Sequence, residues 1–392
     1  MARFHHQSDA ALETLLAVLQ ENPDLLPAKG RVAFIHARAN QRLSWLKDRL
    51  VCVQDFKPVA DNLEVAGWKN AESLEGKFSL VIVLPERQKE ETLGDFAKAF
   101  EVLEDNGVVL VGLHNDWGAK RFEKLLDEAA GGKEGTLSKF HCRAFWARKT
   151  ATLDHGMLAE WKRRGDWQKV VDGRFWSKPG LFSWQKIDGG SRYLTEHLPE
   201  AMQGRVADLG GGWGFLSDFV LRKYPHVEML NIYEADRIGL QACRKNLAET
   251  GSKAQVNYHW ADVTDGVGEQ KFDFIVVNPP FHEDRSPDPL LGIKFIGVAS
   301  RALKPGGELW LVANRHLAYE AFMNEYFSGQ FSIVAQDGSY KVLRGVKGSD
   351  EDPESEGKEG EVEPQLALKK KAPHPIPHRL RKKEKPSSET DS

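Results

Sequence analysis

Residues 205–224 carry the feature that most narrows what this chain can fold into. Arg205-Val206-Ala207 is a short apolar lead, Asp208-Leu209-Gly210-Gly211-Gly212-Trp213-Gly214 is a glycine-rich turn, and Phe215, Leu216, Phe219, Val220 and Tyr224 then recur on one side of a helix. Strand, glycine turn, helix is the opening unit of a doubly wound α/β sheet, because only residues without a Cβ let the chain turn sharply and lie against a ligand. The spacing is D-x-G-x-G-x-G. A dinucleotide fingerprint sets its last two glycines three apart, whereas here they are two apart. Asp208 heads the turn, where a pyrophosphate would gain nothing from a negative charge. The loop therefore points to a ligand with a cationic amino-acid part and away from a dinucleotide oxidoreductase.

Three further strand ends carry polar groups in the same order. The strand 228–233 ends in Glu234, an acid placed to accept hydrogen bonds from both hydroxyls of a ribose. The strand 256–260 ends at Asp262, which can accept from an adenine amino group or, more simply, cap a helix. The apolar run Phe274-Ile275-Val276-Val277 reads as a buried strand and leads into Asn278-Pro279-Pro280-Phe281. In that tetrapeptide the Asn278 side-chain oxygen and the Pro279 carbonyl can each accept one N–H of a planar amine. Pro280 stiffens the loop by fixing φ, and Phe281 offers a face for a base. Each feature alone has a plain structural reading, as a solvated acid, a cap or a turn. Together they occupy the carboxyl ends of successive strands, which is where open α/β sheets bind ligands.

Acid, glycine turn, acid, acid and Asn-Pro-Pro-Phe in this order resemble class I S-adenosylmethionine-dependent methyltransferases that act on amino nitrogens. The stretches Lys178 to Leu194, Val206 to Ser217, Phe272 to His282, Leu303 to Asn314 and Gly338 to Gly345 are more narrowly similar to the C-type guanine-N2 methyltransferases of small-subunit ribosomal RNA. The resemblance is strong over residues 178–347 and extends to the amino-terminal part by architecture only. It implies S-adenosyl-L-methionine as cofactor, held by Gly210, Gly212 and Gly214 with Asp208 at the loop, Glu234 at the ribose and Asp262 at the adenine. It assigns the target base to Asn278, Pro279 and Phe281, and implies ribosomal RNA or the small ribosomal subunit as partner. Phe182, Asp188 and Ser191 lie in the similar stretch and are candidates to cap the cofactor or the base pocket. Trp213 stands where relatives carry a small residue, and is expected to pack over the loop. The Asn-Pro-Pro device also serves enzymes acting on large-subunit ribosomal RNA, on adenine N6 of DNA or on protein glutamine. A catalytically inactive ribosome-assembly protein is a further alternative, disfavoured by the intact Asp208, Glu234 and Asn278.

The two halves of the chain repeat one another. Residues 77–85 parallel 271–279, and Asn106-Gly107-Val108-Val109-Leu110-Val111 parallels Gly306-Gly307-Glu308-Leu309-Trp310-Leu311. The expected fold is α/β, two tandem Rossmann-like methyltransferase folds, each a doubly wound, seven-stranded sheet with helices after its first five strands and a closing hairpin, here around Gly338-Ser339. The amino-terminal copy is degenerate: its first strand runs into His36-Ala37-Arg38-Ala39 without glycines, and Leu84 and Glu86 replace Asn278 and Pro280. The domains are then 1–150, the degenerate copy; 151–203, a linker and cap; 204–348, the catalytic domain; and 349–392, a disordered charged tail. In the linker Trp161, Arg163, Arg164, Trp167, Arg174 and Trp176 interleave basic and aromatic groups, a pattern suited either to RNA or to packing between domains. The tail is acidic over 350–363 and basic over 379–385, with too few apolar residues to build a core.

Composition removes other classes. No apolar run is long enough to span a bilayer, so no membrane partner is expected. Leu12, Leu15, Leu16 and Leu19 read as an amphipathic helix and not as a signal peptide. Cys52, Cys142 and Cys243 are scattered without a metal-ligand spacing, so neither zinc nor a disulfide is indicated and a cytoplasmic location fits. A formal net charge of −3 argues against gripping nucleic acid with the whole surface. An internal pseudo-dimer makes a monomer the expected state.

Overall fold

A computed structural model describes residues 9–26, 28–280, 282–283, 286–287 and 289–349; Phe281 and the expected tail after residue 349 lie outside the described residues. The amino-terminal half contains β1 (Val32–Ile35), β2 (Leu50–Val53), β3 (Phe78–Val83), β4 (Leu103–His114), β5 (Gly135–Lys139) and β6 (Cys142–Arg148), with α1 (Ala10–Glu21), α2 (Lys57–Val65), α3 (Lys89–Val102) and α4 (Ala119–Ala130) around them. The order is β2-β1-β3-β4-β6-β5, parallel from β2 to β4, with β6 and β5 antiparallel. The inner strands are apolar on both faces because helices cover both, as parallel sheets require. Leu12, Leu15, Leu16 and Leu19 of α1 sit in one core cluster, Phe96 and Phe100 of α3 in the other.

A connector of α5 (His155–Gly165), the hairpin β7 (Gln168–Val170) with β8 (Phe175–Ser177), and α6 (Gly189–His197) leads to the second half. There follow β9 (Gln203–Leu209), α7 (Phe215–Lys223), β10 (His226–Glu234), α8 (Arg237–Leu247), β11 (Gln255–Trp260), β12 (Phe272–Val277), the short pair β13 (His282–Glu283) and β14 (Ser286–Pro287), α9 (Pro289–Ala302), β15 (Leu303–Asn314), α10 (Glu320–Tyr326), β16 (Phe331–Gln336) and β17 (Tyr340–Val346). The sheet order is β11-β10-β9-β12-β15-β17-β16. β9 pairs in parallel with both β10 and β12, so Asp208 lies between Ile232 and Val276. The chain order reverses beside β9, which makes the carboxyl ends of β9, β10 and β12 the switch point where a ligand crevice opens. Ala207, Ile275 and Val277 pack on α9 on one face, while Val206, Ile232 and Val276 pack with Leu216, Val220 and Leu240 on the other.

Two expectations need correction. Among the described residues the amino-terminal sheet has six strands, not seven. Its missing edge strand is reduced to a single parallel bridge between Cys52 and Asn70, because the Asn70 side chain closes on the Gln54 backbone through Oδ1 and Nδ2, both at 2.9 Å, and ends the pairing. In the second sheet β11 is followed only by a 3-10 turn, Val263–Asp265, and not by a helix; Gly266 and Gly268, at φ 99° and 71°, reverse the chain before a helical ladder can form. Helices do follow β9, β10, β12 and β15, and β16 and β17 form the closing antiparallel hairpin. Among the described residues no helix is long and apolar enough to cross a membrane.

Both sheets belong to one compact unit. The extension of β2 meets the segment after β10: Phe56 and Asp236 form an antiparallel bridge, Lys57 N–H donates to the Ala235 carbonyl at 2.8 Å, and Arg237 N–H to the Asp55 carbonyl at 2.9 Å. The Arg237 guanidinium, largely buried, donates to the Asp55 carboxylate at 2.7 Å and lies over the Trp260 ring. Removing one partner of such a pair leaves a charge with little water around it. Asp55→Ala is therefore expected to lower stability by about 2 kcal/mol. The check is a lower denaturant midpoint with unchanged slope; an unchanged midpoint would show that the pair contributes nothing.

Candidate functional site

The glycine turn leaves β9 with Gly210 and Gly211 N–H both donating to the Tyr233 carbonyl, at 2.9 and 3.1 Å. Gly212 has φ 52°, and a Cβ placed there would meet nothing within 4 Å. The loop thus needs glycine for its backbone and leaves open space in front of it. Gly214, at φ 93°, is required for packing as well, since a Cβ would lie 2.7 Å from Cys243 Sγ.

Glu234 pins this loop. Its Oε2 accepts from Gly212 N–H at 2.6 Å and its Oε1 from Asp236 N–H at 2.7 Å. Burial raises its pKa, with the backbone donors pulling the other way. Asp236 caps α8 by accepting from Ile238 N–H at 2.8 Å, and burial followed by the Glu234 and Asp55 carboxylates pushes it to about 7. Asp208 is fully buried. Its Oδ2 accepts from the Ser217 hydroxyl at 2.7 Å, its Oδ1 has no partner, and burial pushes its pKa up to about 6. Asp262 caps the 3-10 turn after β11, accepting from Thr264 N–H at 2.8 Å.

Asn278 follows β12 directly. Its Nδ2 donates to Asp188 Oδ2 at 3.0 Å and to Ser191 Oγ at 2.7 Å, while its Oδ1 is buried without a partner. Asp188 Oδ2 also accepts from Ser191 N–H at 2.9 Å, capping α6. Asn278, Asp188, Ser191, Gly210, Gly212 and Phe182 line one cleft. The structure therefore brings the glycine turn and Asn278 together. Glu234 joins through its bond to Gly212, whereas Asp208 lies behind the loop and Asp262 is not in the lining. Pro279 is buried and Pro280 exposed beside it. A wider depression at the amino ends of the strands, with His226, Lys253 and Asp273 in its wall, contains none of these residues.

The connector is tied to the site by Trp213, expected to pack over the loop, and by Asn246, which spacing did not single out. Trp213 packs against Phe175 with ring centroids 5.1 Å apart, and its indole N–H donates to the Phe182 carbonyl at 3.2 Å. Asn246 in α8 donates to the Trp213 and Trp176 carbonyls at 2.7 and 2.9 Å and accepts from Trp176 N–H. An asparagine within a helix gives no signal of such long-range bonds. The basic and aromatic connector residues pair within the protein: Arg174 with the buried Asp218, Arg164 with Glu90, Arg163 with Glu160, and Trp161 in the amino-terminal core. Trp161 is thus a packing residue, whereas Arg163 and Arg174 pair within the chain and stay more than half exposed.

A family model described as the methyltransferase small domain matches residues 172–344. The ribosomal RNA small subunit methyltransferase C of Pasteurella multocida is 31% identical, over 60% of this chain and 69% of that protein. The ribosomal RNA large subunit methyltransferase G of Alcanivorax borkumensis is 34% identical, over 42% of each. The solved structure of a 16S rRNA N2 methyltransferase of T. thermophilus, in complex with AdoMet and guanosine, superposes with a TM-score of 0.70 at 22% identity, over 87% of this chain and 92% of that one, which establishes a shared fold.

Asp208 offers a direct test of this site. Its pKa is higher in the folded chain, about 6 against 3.8, so between those pH values the folded state binds the extra proton and stability falls as pH rises through that window. Asp208→Asn is expected to remove that slope and to stabilise the fold at pH 7 by about 3 kcal/mol at most. Denaturation midpoints at pH 4 and pH 7 check it; a destabilised variant at pH 7 would mean that the charge is compensated.

Proposed function

This chain belongs to the ribosomal RNA small subunit methyltransferase C family, and we propose that it transfers a methyl group from S-adenosyl-L-methionine to the exocyclic N2 of a guanine in small-subunit ribosomal RNA. The observation that carries the reading is the buried, unpartnered Oδ1 of Asn278 in a cleft it shares with the glycine turn. A buried acceptor without a donor costs free energy, and an N–H of a bound amine relieves it. The residues present also fit the cofactor. Gly212 opens onto free space, and Glu234 retains lone pairs beyond its two backbone donors.

In this reading Gly210, Gly212 and Gly214 line the methionine and ribose of the cofactor, with Asp208 behind them, Glu234 at the ribose hydroxyls and Asp262 at the adenine. The bound cofactor supplies a methyl group already activated on a sulfonium, so no metal or strong nucleophile is required. The harder task falls to the protein, because the lone pair of an aryl amine is delocalised into its ring. Asn278 Oδ1 and the Pro279 carbonyl accept the two N–H groups and favour a pyramidal nitrogen. Orientation of that kind lowers the barrier by proximity. The guanine has to be unpaired or flipped from its stack to reach the cleft. Among the described residues Phe182, which lines the cleft and is 68% exposed, offers an aromatic face to it.

The longer shared span with small-subunit relatives supports that substrate over the large subunit. We also read the amino-terminal sheet as a degenerate copy of the second. Its strand order matches β10-β9-β12-β15-β17-β16 position by position. After β1, where the glycine turn would stand, His36 bonds to Asp95 at 2.9 Å. Burial alone would lower the imidazole's pKa, but Asp95 together with Glu91 and Glu86 outweighs it and lifts His36 to about 10. An ion pair fills that position, so one cofactor is expected per chain. A chain that carries its own pseudo-dimer has no need of a second subunit, and we propose a monomer that acts on ribosomal RNA in the cytoplasm.

Asn278→Ala is the test. It is expected to lower kcat about 100- to 1,000-fold, as removal of a positioned hydrogen-bonding group does, while calorimetry finds S-adenosylmethionine bound with near-normal affinity and a stoichiometry of one. Near-normal turnover would reject the amine-holding role, and absence of saturable cofactor binding by the unmutated chain would reject the activity.

A further inference from the structure

We propose that Asp188 is a positioning residue for the transfer: its carboxylate fixes the Asn278 amide with the acceptor oxygen turned into the cleft. This rests on the reading of the cleft as an amine site.

An asparagine side chain can present either end, and the two ends have opposite polarity. The partners of Asn278 decide which one faces the amine. Asp188 Oδ2 lies 3.0 Å from Nδ2 and Ser191 Oγ 2.7 Å from it, so both amide hydrogens have an acceptor. An ionised carboxylate accepts and never donates, so turning the amide over would set oxygen against oxygen. Asp188 is itself held, because Oδ2 also accepts from Ser191 N–H at the start of α6. The remaining end of the amide, Oδ1, is buried with no protein partner. Among the described residues lining the cleft, Asp188 is the one with an ionisable side chain.

Its charge has a use beyond geometry. During transfer the amine nitrogen commits its lone pair to the new N–C bond while the S–C pair returns to sulfur, and the nitrogen then loses one proton to water. Positive charge grows on the nitrogen before the proton leaves. A carboxylate one hydrogen bond behind the Asn278 amide polarises its carbonyl, strengthens Oδ1 as an acceptor and opposes that charge. A neutral residue at position 188 would hold the amide more weakly and offer no such field.

The competing possibility is that Asp188 only caps α6. Asp188→Asn separates the two, because Asn caps a helix as well as Asp does and occupies the same volume. In the full chain with saturating cofactor and RNA, Asp188→Asn is expected to lower kcat about 10- to 100-fold with the KM for S-adenosylmethionine within about twofold. Combined with Asn278→Ala it should cost little more than Asn278→Ala alone, since Asp188 acts through that amide. Ser191→Ala removes the other acceptor and keeps the cap; it is expected to lower kcat severalfold, and it carries the test should Asp188→Asn fail to fold. Wild-type kcat in Asp188→Asn with folding intact, or a loss that multiplies with that of Asn278→Ala, would overturn the proposal. A wild-type kcat in Asn278→Ala itself would instead overturn the amine site on which it rests.

Discussion

The hydrogen bonds from Asn278 to Asp188 and Ser191 are the constraint on which the site depends. They join the end of β12, deep in the second sheet, to the connector that arrives before that sheet begins. They also leave one amide oxygen buried and unpaired in the cleft. An acceptor left without a protein partner beside an open cleft is free to take a donor from a ligand or a water. The fold puts this acceptor beside the glycine turn because β9 and β12 are neighbours in register, with Val277 opposite Leu209.

The surroundings make that corner rigid. Glu234 takes Gly212 and Asp236 on its two oxygens, so the end of β10 and the glycine turn move together. Residues 235–237 are gripped in turn by Asp55 and Lys57 from the amino-terminal half. On the other side Trp213 and Asn246 fasten the connector over the turn. Three separate parts of the chain thus converge on one loop, which is how a site of few polar groups holds its geometry.

What could be read from the sequence follows from the range of the interactions involved. The strand ends at Asp208, Glu234 and Asn278 were legible because each lies at the end of a run of buried apolar residues, whereas the half-buried, polar strand before Asp262 gave a weaker signal. The inner strands of both sheets were legible for the same reason, and the glycine spacing told a dinucleotide loop from this one. The missing edge strand near Asn70 and the absent helix after β11 were not legible, because they turn on side-chain closure and on glycine conformation. The connector's arginines carried an ambiguous message. The partners of Arg174 and Arg164, Asp218 and Glu90, lie far away in sequence, and only folding shows that these partly exposed cations are paired within the chain. The pairing of Asp188 with Asn278 has the same origin.

The most direct measurement of the central claim is the identity of the methylated group. Small-subunit RNA from cells lacking this protein, incubated with the purified chain and isotopically labelled S-adenosylmethionine, is digested to nucleosides and analysed by mass spectrometry. The account predicts label in N2-methylguanosine and in no other nucleoside. Label in N6-methyladenosine, or on a ring nitrogen with no exocyclic amine to hold, would contradict it.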